Sequence, residues 1–177
     1  GIGRGDRVGL QLANSPELVL AYFGCFKLGA IAVPINNRFA PAELAYALDH
    51  SSCRVLISQR NLYSNLIPVR GTVPNLERIF LVEATDSGGE TQPFSSIADE
   101  PVGNFQWPDL DARDVAALFY TSGTTARPKG VTHTQRSLTA TAEYHTEFFR
   151  WNSDDVACVI PPMCHILGFA TQMMPTI

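Results

Sequence analysis

The sequence has no surplus of positive charge: 13 Lys and Arg are outnumbered by 17 Asp and Glu, for a net charge of −4. Nucleic-acid surfaces need a basic face to neutralise phosphates, so nucleic acid is not an expected partner. Cysteine is sparse and shows no paired pattern. Cys25, Cys53, Cys158 and Cys164 form no C-x-x-C spacing, and three of them sit in apolar runs, which fits reduced, buried thiols rather than a disulfide framework. No apolar run is long enough to span a bilayer. Residues 18–35 come nearest, but Lys27 interrupts them, Gly29 offers a helix stop and Pro34 ends the second half, so neither half approaches the ~20 residues a span needs. The opening residues 1–6 hold no apolar core of a secretory signal, and with the thiol pattern this makes a cytoplasmic location the expectation. Internal repeats and low-complexity tracts are absent.

What is present suits one well-buried domain, since 45% of the 177 residues are apolar. Residues 7–12 read as a strand. Asn14-Ser15-Pro16-Glu17 then opens a helix, with a polar cap, a proline in the first turn and an acid near the positive end of the dipole. That helix should run to Leu28 and stop at Gly29. A strand is expected at 31–33, and a second helix opens at Ala40-Pro41-Ala42-Glu43 with Leu44, Ala47 and Leu48 on one face. Further strands are expected at 54–58, 78–82, 115–120 and 156–160, a brief one at 131–133, and a helix over 135–149. The stretch 84–111, with its Thr85-to-Glu90 cluster and several prolines, reads as a connecting excursion outside the core. This order predicts an α/β fold of alternating strands and helices around a mostly parallel sheet.

The densest chemistry lies in Tyr120-Thr121-Ser122-Gly123-Thr124-Thr125-Ala126-Arg127-Pro128-Lys129-Gly130-Val131. Four hydroxyls, backbone N–H groups and an ammonium follow an apolar strand at the carboxyl end where open α/β sheets bind ligands, and together they suit a polyphosphate. Gly123 and Gly130 are expected to let the backbone turn and approach the anion. The run is not a Walker A loop, because Pro128 precedes Lys129 and Gly130 follows it, and it lacks the kinase G-x-G-x-x-G.

Nearly letter for letter, this run resembles the signature loop of the adenylate-forming superfamily, which comprises acyl- and aryl-CoA synthetases, luciferases and adenylation domains. Pro161-Pro162-Met163-Cys164-His165-Ile166-Leu167-Gly168 likewise resembles their Pro-x-x-His-x-x-Gly element, and Gly5-Asp6-Arg7-Val8, Asn14-Ser15-Pro16-Glu17 and Gly29-Ala30-Ile31-Ala32-Val33-Pro34 recur in acyl-CoA synthetases in this order. The resemblance covers nearly the whole chain. It implies that Thr121, Ser122, Gly123, Thr124, Thr125, Lys129 and Gly130 bind ATP, with Lys129 and His165 as catalytic residues: Lys129 stabilising charge on the leaving pyrophosphate, His165 beside the acyl pocket and α-phosphate. Gly168 would give room for substrate or a neighbouring backbone. Taken by itself, a histidine between Cys164 and Ile166 reads as a hydrogen-bonded core residue. No acid lies between Val156 and Ile177 where amino-acid-activating relatives carry Asp, so a plain carboxylic acid, fatty or aromatic, is the expected substrate.

The implied reaction takes ATP with Mg²⁺ and a carboxylate to acyl-AMP and pyrophosphate, then CoA to acyl-CoA and AMP. The family usually carries Gly where Ala126 stands, which stiffens the loop if the position needs positive φ. Gln135, where many members have His, receives no role. The family's downstream adenine, ribose and lysine elements do not occur in residues 1–177, so the chain is expected to be part of a large N-terminal domain, inactive alone. A non-catalytic nucleotide-binding or scaffold relative, another adenylate-forming enzyme and an ATPase remain alternatives. His133 either touches nucleotide or packs beneath the loop. No metal site is assigned: His145, Glu147 and Cys164 faintly resemble a zinc deaminase set, but Pro-Cys-x-x-Cys is missing. The Arg4-Gly5-Asp6 triplet is not expected to act as an integrin ligand.

Overall fold

Side-chain alternation decides how the sheet is covered. In β1 (Arg7–Gln11) Val8 and Leu10 enter one apolar layer; Val55 and Ile57 join it, while Leu56, Ile79 and Leu81 enter the layer on the other face. A computed structural model describes residues 1–84, 89–99, 105–121 and 127–177. Between its two layers run β2 (Ile31–Pro34), β3 (Val55–Gln59), β4 (Arg78–Val82), β5 (Thr91–Pro93), β6 (Val115–Thr121) and β7 (Lys129–Thr134), in the spatial order β5-β4-β3-β1-β2-β6-β7. Every neighbouring pair is parallel except β6 with β7. The α/β class and the mostly parallel sheet agree with the pattern in the sequence.

Helix α1 (Pro16–Leu28) covers the first layer with Leu18, Tyr22 and Cys25. Ser15 caps it, its Oγ accepting from the Leu18 N–H at 3.3 Å, and Gly29 ends it at φ 68°. Helix α2 (Pro41–His50) covers the second layer with Leu44, Ala47 and Leu48, and the Glu43 carboxylate accepts from the Ala40 N–H at 2.9 Å. Short helices α3 (Arg60–Tyr63) and α4 (Ser95–Ala98) follow β3 and β5, and α5 (Gln135–Phe149) leaves β7 directly, capped by Thr134. The chain closes with α6 (Ile166–Gly168) and two further short helical turns. No helix among the described residues is long and apolar enough to cross a membrane.

Two expectations are corrected. Part of 84–111 belongs to the sheet, because β5 pairs with β4 and Phe94 is buried in the first layer. Residues 156–160 form no strand. Val156 and Ile160 are 97% and 81% exposed, no described strand pairs with this stretch, and the carbonyl of Val159 is taken by the Asn14 side chain instead. The Thr85-to-Gly88 part of the polar cluster lies outside the described residues. Cys25, Cys53 and Cys164 are buried as expected, whereas Cys158 is exposed. The Arg4-Gly5-Asp6 triplet is tied into the fold, with Arg4 on Asp114 at 2.6 Å and Asp6 on Arg54 at 2.8 Å.

Gly29 combines positive φ with crowding, for a Cβ there would meet Leu110 Cδ2 at 2.6 Å. Gly29→Ala in the full-length protein should cost about 2 kcal/mol, combining left-handed strain with overpacking. A urea midpoint that falls with unchanged slope is the expected reading; an unchanged midpoint would contradict it.

Candidate functional site

Strand β6 ends at Thr121 and β7 begins at Lys129, in a register that sets Tyr120 opposite Gly130 and Thr121 opposite Lys129. The Thr121 hydroxyl donates to the Lys129 carbonyl at 3.5 Å. Both residues are exposed, and the Lys129 ammonium belongs to none of the described ion pairs. A cation in that position is free to neutralise an incoming anion without first breaking a salt bridge. Ser122, Gly123, Thr124, Thr125 and Ala126, which connect the two paired ends, lie outside the described residues. Gly130 lies within β7, not at a turn, and its small size matters because a Cβ would come within 3.0 Å of Leu118 Cδ1.

Beneath this end of the sheet, His133 sets its ring edge-on against Phe119 at 5.6 Å, and partial burial lowers its pKa below the ordinary value. The ring packs against the hairpin's own strand β6. Phe119 also meets Phe169 at 5.8 Å, and Phe169 stacks on Tyr22 at 4.1 Å.

That aromatic column carries the second predicted element. His165 caps α6: its backbone N–H donates to the Pro162 carbonyl at 3.0 Å, and its carbonyl accepts from the Phe169 N–H at 3.1 Å. The residue is exposed, unlike a core histidine. At Gly168 the chain passes close to itself, since a Cβ would lie 2.5 Å from the Pro162 carbonyl oxygen and 2.6 Å from that of Pro161. Of the two uses expected for this glycine, a neighbouring backbone is the one observed. The structure thus joins Thr121, Lys129 and Gly130 directly, and attaches the His165 element to the same strand through Phe169 on Phe119, two residues before Thr121.

Sequence reading assigned no contact to Asn14, which holds this element in place. Its amide donates to the carbonyls of Val159 at 3.2 Å and Pro161 at 3.0 Å, while its Oδ1 accepts from the Met163 N–H at 2.8 Å. An amide is needed because the segment presents both acceptors and a donor. The buried Tyr22 hydroxyl adds a bond to the Met163 carbonyl at 2.7 Å. The Asn-Ser-Pro-Glu motif was the available signal, and Asn14 is the member that reaches across the fold. His145 stacks on Phe149 at 5.9 Å.

The class defined by these features is an α/β fold that presents an exposed Thr121–Lys129 hairpin end at the carboxyl end of a mostly parallel sheet. The sequence profile described as AMP-binding enzyme matches residues 1–177, and the chain belongs to this adenylate-forming family. It is 35% identical to a crotonobetaine/carnitine–CoA ligase of Salmonella paratyphi A over 99% of this chain and 34% of that protein. It is 30% identical to an acyl-CoA ligase of Aspergillus fumigatus over 100% of this chain and 32% of that one. Among solved structures, the anthranilate CoA ligase AuaEII in complex with anthranoyl-AMP superposes with a TM-score of 0.85 at 28% identity, covering 99% of this chain and 34% of that chain. A long-chain-fatty-acid–CoA ligase of Archaeoglobus fulgidus gives 0.85 at 31%, over 96% of this chain and 33% of that one. The chain spans about a third of the length of these relatives.

Removing the Asn14 amide frees the Met163 N–H. Asn14→Ala should accelerate hydrogen exchange at the Met163 amide by roughly tenfold, the worth of a hydrogen bond or slightly more, with α2 amides unaffected. Unchanged exchange at Met163 would show that the segment is held by other contacts.

Proposed function

We propose that this chain is the phosphate-binding part of an ATP-dependent acid:CoA ligase whose substrate is a plain fatty or aromatic carboxylic acid. The observation that carries the reading is the hairpin end, where Thr121 and Lys129 stand opposite each other and exposed at the carboxyl end of β6. The names of the relatives support it: all four are CoA ligases. The lack of an acid between Val156 and Ile177 favours an uncharged acyl group over an amino acid.

In the first half-reaction a carboxylate oxygen attacks the α-phosphorus of ATP, and the bond from that phosphorus to the bridging oxygen of pyrophosphate breaks. In the second, the CoA thiol loses its proton and attacks the acyl carbon, and AMP departs with its oxygen. Charge accumulates on pyrophosphate in the first step, so a preorganised ammonium at Lys129 lowers that barrier. Thr121, Ser122, Gly123, Thr124, Thr125 and Gly130 supply the remaining phosphate donors. This donor set suits an anion, and Mg²⁺ enters with ATP. His165 is exposed at the start of its helix, and in this reading its imidazole is the donor to the acyl phosphate. Burial pushes the Cys25 and Cys53 thiols up to about 12 and raises Cys164, which makes these three poor nucleophiles; in this reading the reacting thiol is that of CoA.

Carboxylate-stimulated pyrophosphate exchange into ATP tests this reading on the full-length protein, using a panel of fatty and aromatic acids. Lys129→Ala should slow exchange about a hundredfold, the usual consequence of losing one charged donor from a preorganised site. Its unfolding midpoint should not move, because the side chain is solvated in the free protein. Undiminished exchange in the variant would remove Lys129 from the mechanism.

A further inference from the structure

Both ends of the 122–126 segment are tied to the last turns of α2. On the entering side, Tyr120 is buried, its hydroxyl lying 2.8 Å from His50 Nδ1 and donating to the Ala47 carbonyl at 3.2 Å. Burial pushes this hydroxyl up to about 12, so it stays protonated at any working pH. On the leaving side, the Arg127 guanidinium sits over the face of Tyr46, 5.6 Å from the ring centroid. Tyr46 and His50, one turn apart on α2, are stacked at 5.2 Å with planes 27° apart, and Tyr46 meets Tyr120 edge-on at 6.4 Å. One aromatic cluster on one helix therefore contacts the residue before Thr121 and the residue two before Lys129.

We infer that Tyr46 is a positioning residue for ATP: with His50 and Tyr120 beside it, its ring holds Arg127 and so fixes the spacing between the two ends of the phosphate-binding loop. The inference rests on the ligase reading for the identity of the nucleotide, and on the described geometry alone for the coupling. A guanidinium over an aromatic face is attracted by the ring quadrupole, and the attraction grows as the ring is desolvated. Tyr46 is partly buried, and its stacking on His50 removes a further part of its surface from water. Holding Arg127 there restricts the backbone at Pro128 and Lys129 before nucleotide arrives. An ordering cost otherwise charged to ATP binding is then met in the free protein. Tyr46 touches neither substrate nor reacting atoms in this account; its influence passes through Arg127.

The test uses four variants of the full-length protein: Tyr46→Phe, which keeps the ring; Tyr46→Leu, which removes it; Arg127→Met; and the Tyr46→Leu/Arg127→Met double. In pyrophosphate exchange, Tyr46→Leu and Arg127→Met should each raise the KM for ATP about tenfold and leave the KM for the carboxylate unchanged. The double variant should be no worse than either single, and Tyr46→Phe should stay within about twofold of wild type, because the ring face is what matters. A purely architectural Tyr46 would lower kcat with the active fraction and leave the KM for ATP in place. That outcome, or losses that multiply in the double variant, overturns the inference. If the wild-type protein binds Mg·ATP but shows no carboxylate-stimulated exchange, the ligase reading fails alone. The same variants are then compared by calorimetric Mg·ATP affinity, where Tyr46→Leu must weaken binding about tenfold and Tyr46→Phe must not. A wild-type protein that binds no Mg·ATP overturns both.

Discussion

The pairing of β6 on both its edges governs the site. Parallel bonding to β2 and antiparallel bonding to β7 leave its side chains two directions only. Ala116 and Ala117 are fully buried where the strand crosses the sheet, and the two residues before its end then diverge. Phe119 enters the α1 layer and meets Phe169, while Tyr120 enters the α2 layer and meets His50 and Tyr46. A one-residue slip of this strand would exchange the two faces and uncouple both elements from the hairpin. The position of Thr121, and through β7 that of Lys129, derives from those two burials.

Polar groups at the two ends of the sheet have different work. At the amino ends, Arg54 joins Asp6 at 2.8 Å and Glu77 at 2.8 Å, linking the entries to β1, β3 and β4. These charges are paired. At the carboxyl end of β6, Lys129 is in no described pair and Thr121 is open. An ammonium facing solvent adds little to stability.

Local signals in the sequence carried far. Ser15, Pro16 and Gly29 mark α1 because capping and φ are properties of single residues, and the bounds of α5 come from its period in the same way. The hydroxyl- and glycine-rich run marked the end of β6 because that composition breaks off the apolar strand before it. Partner-dependent features escaped. β5 holds three residues, one of them a proline, too short for any period to register, and it exists because β4 offers an edge. Residues 156–160 have strand composition without a pairing partner among the described residues, and composition alone cannot supply one. Asn14 on Pro161 and Arg127 on Tyr46 join residues far apart in the chain, a relation that appears only once the sheet order is known.

The central claim is that the hairpin serves transfer of a carboxylate to the α-phosphate of ATP. Isotope transfer tests it most directly: the full-length protein turns over an acid labelled with ¹⁸O in both carboxylate oxygens, together with Mg·ATP and CoA, and the nucleotide product is weighed by mass spectrometry. Adenylation followed by thiolysis leaves one labelled oxygen on AMP, because the carboxylate oxygen that bonded to phosphorus stays there when the acyl carbon departs. The account predicts AMP carrying one ¹⁸O per acyl-CoA formed. ADP as the product, or AMP without label, would contradict it.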